Sequence, residues 1–399
     1  LSTRISIRNV IPVLTGLVYP LKTLELFAEA EKFNHGDLVT LYKESPTSLA
    51  SPSVLDLFCG CGGLSLGFKR AGYRLIAGID HDLQALETYS HNLRTPGLNI
   101  DLADKNWPDF LEKKIGNQKC DVLVGGPPCQ GYSLTGTRQA SDTRNKLYDA
   151  MFVGMDYFEP SVVLIENVRG MATLFNGKAK KQVIEQFVDR GYDVTAQVLD
   201  SATFGVPQHR HRLFFVAVKK GHASLPESFI NKSDFVTCWQ ALSDLPELDI
   251  ERDQFESNEY CSDPLSDFQK LMRNSSATLK NHEATRHKQF VIETIKLVPE
   301  GGNHKDLPQG VGESRKFNEA WTRYHSQKPS RTIDTGHRNH FHYKANRVPT
   351  VRENARLQSF PDSFEILGTR TSQNRQIGNA VPVLMSQAIA LHVRKLLDV

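Results

Sequence analysis

The chain has 399 residues, of which 39% are hydrophobic, so it can bury the core of one large domain or of two smaller ones. A formal net charge of +3 and a pI of about 8.4 permit a polyanionic partner but do not require one. The six cysteines are too few for a disulfide scaffold and lack paired metal-ligand spacing. We therefore expect no metal site, a reducing cytoplasmic setting and, because no apolar run reaches about 18 residues, no membrane-spanning helix.

Residues 1–50 form an N-terminal extension whose role the sequence leaves open. Residues 21–33 have helical periodicity, and residues 44–53 (ESPTSLASPS) are typical of a linker. A docking helix and a small regulatory module both fit this pattern. A signal peptide is not expected, because Arg8 and Pro12 interrupt the apolar stretch near the start.

From residue 54 onwards, short apolar strands alternate with helical segments. This alternation is typical of the α/β class, in which crossover helices connect parallel strands. We therefore predict a mostly parallel sheet with helices on both faces. The predicted strands are 54–58, 73–80, 120–126, 161–167 and 212–218, and the predicted helices between them include 64–70 and 83–92.

After the last of these strands the alternation ends and the charge distribution changes. Residues 221–267 hold 11 acidic and two basic residues, whereas residues 268–350 hold 15 lysines and arginines against seven acids. Eight of the 14 histidines lie between residues 221 and 342. A solvated surface and a polyanion-binding face both explain the basic half. Two further helices are predicted at 353–360 and 378–397, the second packing back on the sheet.

The stretch DLFCGCGGLSLGF (56–68) follows a strand and opens a helix. Gly60, Gly62 and Gly63 allow the backbone to approach a ligand closely, and the helix N-terminus favours electronegative groups. The GxGG spacing differs from the GxGxxG that holds a pyrophosphate, which favours a nucleoside without phosphates, such as S-adenosylmethionine. Asp80, 17 residues after Gly63 at the end of the next strand, is placed to bind ribose hydroxyls. A purely structural turn is the alternative.

The stretch GGPPCQGYS (125–133) places Cys129 directly behind two prolines at a strand end. The prolines stiffen the loop, which suits a positioned nucleophile, although an inert core cysteine also fits. Glu166 ends a later apolar strand and is placed to face Cys129, with an ion pair to a nearby arginine as the alternative. Arg210 and Arg212 alternate in QHRHR, so both point to one face and can reach one anion, unless they are ordinary surface arginines.

Five motifs occur in a characteristic order: DLFCGCGGLSLGF, GGPPCQGYS, ENVRG, QHRHRLFFV and RQIGNAVPV. In this order they resemble the signature motifs of DNA (cytosine-5)-methyltransferases of the bacterial type II restriction-modification kind. The match covers about residues 54–219 and 328–399, and VRENARLQSFPDSF (351–364) resembles a further segment of that family. The resemblance implies a Rossmann-like, S-adenosylmethionine-dependent methyltransferase fold with a smaller target-recognition domain.

The resemblance also implies a mechanism. Cytosine C5 is a poor nucleophile, and a thiolate that adds to C6 activates it. Cys129 would be that thiolate, on a base flipped out of duplex DNA. Glu166 would bind N3 and the exocyclic amine of cytosine, and Arg210 and Arg212 would orient the base and its backbone. The residue that removes the C5 proton is not identified.

The cofactor site is likewise implied by the resemblance. Phe58 would lie near the adenine, Asp80 would bind the ribose hydroxyls, and Asp101, followed by Leu102, would reach the adenine amino group. The sequence departs from the family at His81, where an aromatic or apolar residue is common, and at Cys61, which we interpret as a small filler. The expected cofactor-binding set is Phe58, Gly60, Gly62, Gly63, Asp80, His81, Asp101, Leu102, Pro128 and Asn379.

The resemblance predicts four segments. Residues 1–50 are the extension, 51–220 the catalytic and cofactor-binding domain, 221–345 the target-recognition domain, and 346–399 a return to the catalytic domain. The basic half from Lys270 would contact phosphates. The stretch TIDTGHRNHFHY (332–343) would lie either at the DNA or in a core β segment.

The expected partner is double-stranded DNA, bound by a monomer that protects host DNA from a companion restriction endonuclease. Three alternatives remain. An RNA cytosine-5 methyltransferase is disfavoured because the Cys-Phe-Thr signature of the tRNA-acting relative is absent from the sequence. A non-catalytic DNA- or cofactor-binding regulator would not need the intact Cys129, Glu166 and glycine turn. A nicotinamide dehydrogenase would carry GxGxxG.

Overall fold

A computed structural model describes residues 38–128, 143–274, 276, 278–311, 320–336 and 339–398, with side chains omitted for 143–146. The helix predicted at 21–33 and the candidate nucleophile Cys129 lie outside the described residues.

A seven-stranded, mostly parallel sheet forms the centre of the protein. Its strand order is β3-β2-β1-β4-β5-β7-β6, and β7 runs antiparallel to both of its neighbours. The chain starts in β1, builds outward to β3 on one side, and then crosses back to β4, so the order reverses between β1 and β4. The strands are β1 Ser53–Leu57, β2 Arg74–Asp80, β3 Gly97–Asn99, β4 Val122–Gly125, β5 Val162–Val168, β6 Asp193–Asp200 and β7 His211–Val218.

Helices cover both faces of this sheet. Leu55 and Leu57 point into the main core, which Trp107 and Met151 complete from α4 and α5. Asp56 lies between them in β1 and points to the other face, where it bonds to a residue of α2. The helices are α1 Leu38–Leu41, α2 Gly63–Arg70, α3 Leu83–Leu93, α4 Trp107–Ile115, α5 Thr143–Phe158, α6 Lys178–Val188, α7 Cys238–Leu242, α8 Asp267–Arg273, α9 Gln289–Leu297, α10 Val351–Leu357, α11 Arg370–Asn379 and α12 Val383–Leu397.

The α/β prediction is confirmed, and the five predicted strands agree with the observed ones to within two residues at either end. The helix predicted at 378–397 is wrong in its start, because Pro382 separates α11 from α12. By length and composition alone, Arg370–Leu397 could cross a membrane, but 61% of its most apolar window is buried inside the protein. We therefore interpret it as a pair of core helices.

The end of the N-terminal extension packs against the sheet domain. Tyr42 is fully buried, and its hydroxyl donates to the carbonyl oxygen of Phe204 at 2.6 Å. The guanidinium of Arg70 in α2 and the side-chain amide of Gln387 in α12 both donate to the carbonyl oxygen of Tyr42. Residues 38–45 therefore tie α2, α12 and the turn after β6 together.

The region after β7 contains short helices and a small two-stranded sheet of β8 Thr322–Arg323 and β9 His340–Phe341. Its segment 330–333 returns to the main sheet and runs beside residues 208–210. The amide of Ile333 donates to Oε1 of Gln208, and that of His209 donates to the carbonyl oxygen of Ser330, both at 2.9 Å. This segment brings the region after β7, here called the second region, to residues 208–210, which lead into the strand that carries Arg212.

Candidate active site

The carboxyl ends of β1, β2, β4 and β5 lie side by side at one edge of the sheet, here called the carboxyl edge. The glycine turn follows β1, and residues 126–128 follow β4. The strand order reverses between these two strands, and ligands of open α/β sheets bind at such a point. The topology therefore brings the predicted cofactor turn and the loop that leads to Cys129 together.

The glycine turn requires left-handed backbone at Phe58, Gly60 and Gly62, whose φ angles are 60°, 53° and 97°. A Cβ atom added to Gly60 would meet no atom within 4 Å, so this glycine leaves open space beside the turn. A Cβ atom on Gly63 would collide with the carbonyl oxygen of Val381, so Gly63 is required by the packing of the protein itself. Gly60 thus leaves room for a ligand, whereas Gly63 allows close packing within the protein. The sequence pattern does not distinguish these two roles.

Asp80 connects the end of β2 to the glycine turn. Its Oδ2 accepts the backbone N–H of Gly60 at 2.8 Å, and its Oδ1 accepts those of His81 and Asp82 at 2.7 and 2.9 Å. Asp82 in turn caps α3 through the N–H groups of its first residues. The carboxylate that we expect to bind ribose therefore also holds the shape of the turn.

The other expected cofactor residues differ in exposure. The side chain of His81 is 96% exposed beside Asp80, and Asp101 is exposed and accepts the N–H of Ala103 at 2.9 Å. Leu102 is buried in the main core, whereas Pro128 and Asn379 are exposed. The open space at Gly60, the adjacent carboxylate and the absence of a GxGxxG turn fit a nucleoside with an amino-acid tail. The residues present therefore fit S-adenosylmethionine.

A buried carboxyl group that sequence reasoning missed lies beneath the glycine turn. Oδ2 of Asp56 accepts the hydroxyl of Ser65 at 2.6 Å, while its Oδ1 has no hydrogen-bond partner among the described residues. Burial, with a smaller contribution from Asp80, raises the pKa of Asp56 to about 7. The Ser65 hydroxyl also lies 3.0 Å from that of Tyr89, so β1, α2 and α3 meet at this group. Only its place in an otherwise apolar strand marks it in the sequence.

Glu166 lies in β5 opposite the glycine that opens the Pro-Pro-Cys run. A Cβ atom on Gly126 would lie 3.3 Å from Oε2 of Glu166. Oε1 lies 3.0 Å from Nε of Arg212, in an ion pair that lacks an aligned hydrogen bond. Burial raises the pKa of Glu166, and the guanidinium groups of Arg212 and Arg210 offset only part of that rise. The structure thus places Glu166, Arg212 and the start of the cysteine loop together.

Asn167 anchors the proline loop to β5. Its side-chain amide donates to the carbonyl oxygen of Pro127 at 3.1 Å, and the residue is buried. The preceding glycine, Gly126, is held to β1 through a 3.3 Å hydrogen bond to the carbonyl oxygen of Leu57. The loop therefore leaves the sheet in a fixed direction. Sequence reasoning missed this role, although Asn167 is the second residue of the ENVRG motif.

Arg210 is placed differently from Arg212. It is 2% exposed, and its guanidinium donates to the carbonyl oxygens of Ile333 and Asn379 at 3.5 and 3.3 Å. Its Nε has no hydrogen-bond partner among the described residues. Burial, together with the neighbouring Arg212 guanidinium, lowers the pKa of Arg210 to about 9. Arg210 thus joins the second region and the end of α11 to the carboxyl edge, and only Arg212 pairs directly with Glu166.

Four of the five described cysteines are buried and do not compete with Cys129 for the role of nucleophile, whereas Cys261 is exposed in the region after β7. Cys59, Cys61, Cys120 and Cys238 are buried free thiols. Burial raises the pKa of all four, to about 12 for Cys61 and Cys120, so they stay protonated near neutral pH. Cys61 packs in an apolar cluster with side chains such as Phe360, consistent with a small filler. The described residues contain no group of three or more side chains that could hold a metal ion.

A profile of the family described as C-5 cytosine-specific DNA methylase matches residues 53–395. The chain belongs to this family. The type II methyltransferase M1.HphI of Haemophilus parahaemolyticus is 36% identical to it over 355 residues, which cover 87% of each chain. The type II methyltransferase M.DdeI of Desulfomicrobium norvegicum is 34% identical, over 85% of this chain and 87% of that protein.

A crystal structure of a prophage-encoded Escherichia coli protein, assigned as a DNA modification methyltransferase, superposes with a TM-score of 0.69. It is 26% identical in sequence, and the match covers 88% of this chain and all of that one. Membership of the family makes the chain a DNA cytosine-5-methyltransferase, and family and fold imply S-adenosylmethionine as the methyl donor.

Proposed function

We propose that this enzyme methylates C5 of a cytosine within one short double-stranded DNA sequence, through a covalent bond between Cys129 and C6 of a flipped base. The observation that supports this most directly is the position of Glu166. This largely buried carboxyl group has a raised pKa, lies 3.0 Å from Arg212 and borders the glycine that opens the Pro-Pro-Cys loop. A proton donor beside a positioned thiol is the arrangement that addition to cytosine C6 requires.

Glu166 supplies the proton that makes C6 electrophilic. Because burial raises its pKa, the carboxyl group holds a proton closer to neutral pH than an exposed glutamate does. It donates this proton towards N3 of cytosine, and its other oxygen accepts from the exocyclic amine. Arg212 then stabilises the carboxylate that forms, at the 3.0 Å distance already present.

Cys129 acts as the nucleophile in this proposal. Its thiolate forms the S–C6 bond while N3 takes the proton from Glu166, and the ring becomes an enamine with electron density on C5. Once C5 is methylated, loss of its proton to a base allows the S–C6 bond to break and frees Cys129. The hydrogen bond from Asn167 to the carbonyl oxygen of Pro127 fixes the start of the loop that carries this cysteine.

The cofactor would be held by the glycine turn and by Asp80, with Phe58 near the adenine and His81, Asp101 and Leu102 beside it. When bound, S-adenosylmethionine supplies an electrophilic methyl group. The open space at Gly60 supports this placement, since a side chain there would occupy it. Pro128 and Asn379 complete the expected pocket from the cysteine loop and from α11.

The biological setting is proposed from the relatives. Both relatives named above are type II methyltransferases, which supports protection of host DNA from a companion restriction endonuclease. We propose that residues 221–345 recognise the target, that 51–220 and 346–399 carry catalysis, and that a monomer acts in the cytoplasm. Of the stretch 332–343, Ile333 and His340 are buried, which favours a core segment for that part.

The test is methylation of unmethylated plasmid DNA by the purified protein with S-adenosylmethionine, read by bisulfite sequencing. We expect 5-methylcytosine confined to one short motif, and none with Cys129→Ser, which should still bind DNA and cofactor. No methylation by a folded protein that binds S-adenosylmethionine would contradict the proposal and favour an RNA substrate or a non-catalytic binder. Full methylation by Cys129→Ser would refute only the role of the Cys129 thiol and would leave the methyltransferase activity itself supported.

A further inference from the structure

Asp82 joins the cofactor turn to the C-terminal part of the chain. Its Oδ1 caps α3 by accepting the N–H groups of Gln84 and Ala85 at 3.1 and 3.3 Å, and its Oδ2 accepts a 2.6 Å hydrogen bond from Arg375 in α11. The backbone N–H of Asp82 donates to Oδ1 of Asp80 at 2.9 Å. Arg375 is therefore connected to the carboxylate expected to bind ribose through a single residue, and none of the roles assigned above uses it.

A row of polar side chains holds α3 against the segment 365–369, which leads into α11. Gln84, Thr88 and Asn92 are spaced four residues apart, so they lie on one face of α3. Their side-chain oxygens accept three backbone N–H groups of that segment, at 3.2, 3.0 and 2.9 Å. Three successive turns of α3 are therefore bonded to the chain that enters α11, and Arg375 adds the contact at the end nearest the cofactor turn.

Arg375 also supplies a positive charge beside two neighbouring carboxylates. Asp80 and Asp82 place two negative charges at the start of α3, and the guanidinium of Arg375 pairs with the second of them. The side chains of Arg375 and Asp82 are 52% and 18% exposed, so water screens part of this attraction. Loss of Arg375 would remove the bond that holds Asp82, and with it the N–H group that Asp80 accepts.

We propose that Arg375 is a positioning residue of the cofactor site, an inference that rests on the proposed function. Through Asp82 it holds the Asp80 carboxylate in the orientation that binds the ribose hydroxyls of S-adenosylmethionine. Arg375 and Asn379, the pocket residue expected from α11, lie four residues apart and hence on one face of this helix. Arg375 thus acts on the cofactor through Asp80 and does not contact it.

The experiment measures the Kd of S-adenosylmethionine by calorimetric titration, and the KM and kcat of methylation, for Arg375→Ala. Because the ion pair is partly exposed, we expect Kd and KM for the cofactor to rise about three- to fivefold. The kcat at saturating cofactor should stay within about twofold of the wild type, because Arg375 touches neither the target base nor the transferred methyl group. Arg375→Lys keeps the charge opposite Asp82 and should restore most of the affinity.

The route through Asp82 is tested with Asp82→Asn, whose amide oxygen can still cap α3 but carries no charge. In this background Arg375→Ala should leave Kd unchanged, because the ion pair is already absent and the two changes are not additive. The matched control is Arg370→Ala, which removes the same charge from α11 but breaks an ion pair with Glu283 of the second region. We expect its affinity for S-adenosylmethionine to match that of the wild type.

An unchanged Kd in Arg375→Ala would overturn the positioning role while leaving the proposed function intact, and so would a loss no larger than that of Arg370→Ala. An equal loss in the Asp82→Asn background would overturn the route through Asp82 and assign Arg375 to direct contact with the cofactor. A lower temperature of thermal unfolding without a change in Kd would reduce Arg375 to a role in stability. If the wild type binds no S-adenosylmethionine, the cofactor site of the proposed function fails first.

Discussion

Charged side chains are buried both at the carboxyl edge and around α10. The two groups differ in how many of their polar atoms have a hydrogen-bond partner. At the carboxyl edge, Oε1 of Glu166, Nε of Arg210 and Oδ1 of Asp56 have no hydrogen-bond partner among the described residues. The pKa of Glu166 is raised and that of Arg210 is lowered, so burial favours the neutral form of each.

Around α10, by contrast, the buried charges are paired on several sides. Arg347 donates to both oxygens of Glu353 at 2.8 and 2.7 Å, and the N–H of Thr350 adds a third hydrogen bond at 2.7 Å. Arg356 joins Asp244 to Asp362. Although burial opposes it, Arg347 holds the pKa of Glu353 well below its usual range, and the pKa of Asp362 is likewise lowered.

We interpret the incompletely bonded charges as groups that bind substrate and the fully paired charges as groups that stabilise the fold. A fully bonded ion pair has no free donor or acceptor, so it fixes geometry and performs no chemistry. An incompletely bonded carboxyl with a raised pKa can exchange a proton with a base placed beside it. The comparison predicts that similar substitutions in the two regions have opposite effects on activity and stability.

The largest effect is expected for Glu166→Gln. The amide keeps the shape of the side chain but cannot deliver a proton to N3, so the rate of methyl transfer should fall by about 10²–10⁴. Single-turnover methylation of a short duplex measures this rate. Duplex affinity and thermal stability should stay close to those of the wild type. A variant that keeps more than half of the wild-type rate would show that Glu166 is not the proton donor.

The counterpart in the second region is Glu353→Gln. It leaves Arg347 buried without a counter-charge, which costs about 3–5 kcal/mol of stability. The temperature of thermal unfolding should fall by several degrees, while the single-turnover rate of the protein that remains folded stays near that of the wild type. A large loss of rate without loss of stability would break the distinction between the two regions.

A smaller effect is expected at the cofactor turn, where Asp80→Ala is compared with Asp101→Ala. Asp80 accepts three backbone N–H groups and is placed to bind ribose, whereas the exposed Asp101 accepts that of Ala103. The dissociation constant for S-adenosylmethionine should rise about 100-fold for Asp80→Ala and about tenfold or less for Asp101→Ala. Calorimetric titration measures both, and equal effects would contradict the double role of Asp80.

The smallest effect concerns Asp56, and it depends on pH. Its folded-state pKa of about 7 lies above its usual value near 4. The proton on Asp56 therefore stabilises the protein fully below about pH 4, and this contribution is lost as the pH rises through about 7. Asp56→Asn keeps a neutral group, so its stability relative to the wild type should increase by about 2.5 kcal/mol between pH 5 and pH 8. Thermal unfolding of both proteins between pH 5 and pH 8 measures the trend, and a constant difference would show that Asp56 does not titrate there.

Local patterns predicted much of the sheet and of the carboxyl edge. The strand before the glycine turn, the strand that ends at Asp80 and the strand that carries Glu166 are short apolar runs bounded by turn residues, which periodicity detects. The edge strand β6 was missed because DVTAQVLD is half-exposed along much of its length and has few consecutive apolar residues. The break before α12 was missed because the apolar pattern continues past Pro382.

Contacts between residues distant in sequence could not be predicted in the same way. Sequence alternation placed Arg210 and Arg212 on one face, but the hydrogen bonds of Arg210 to Ile333 and Asn379 span more than 120 residues. The anchoring of Pro127 by Asn167 likewise depends on the pairing of β4 with β5. These contacts follow from tertiary packing, which local propensity does not encode.

The most direct test of the central claim uses a duplex in which 5-fluorocytosine replaces the target cytosine. Fluorine at C5 cannot leave as a proton, so the S–C6 bond cannot be broken after methylation. The account predicts a complex that survives denaturation, with the DNA attached to the peptide that contains Cys129, and much slower formation with Glu166→Gln. Methylation of ordinary duplex DNA with no such complex, or attachment at another residue, would contradict it.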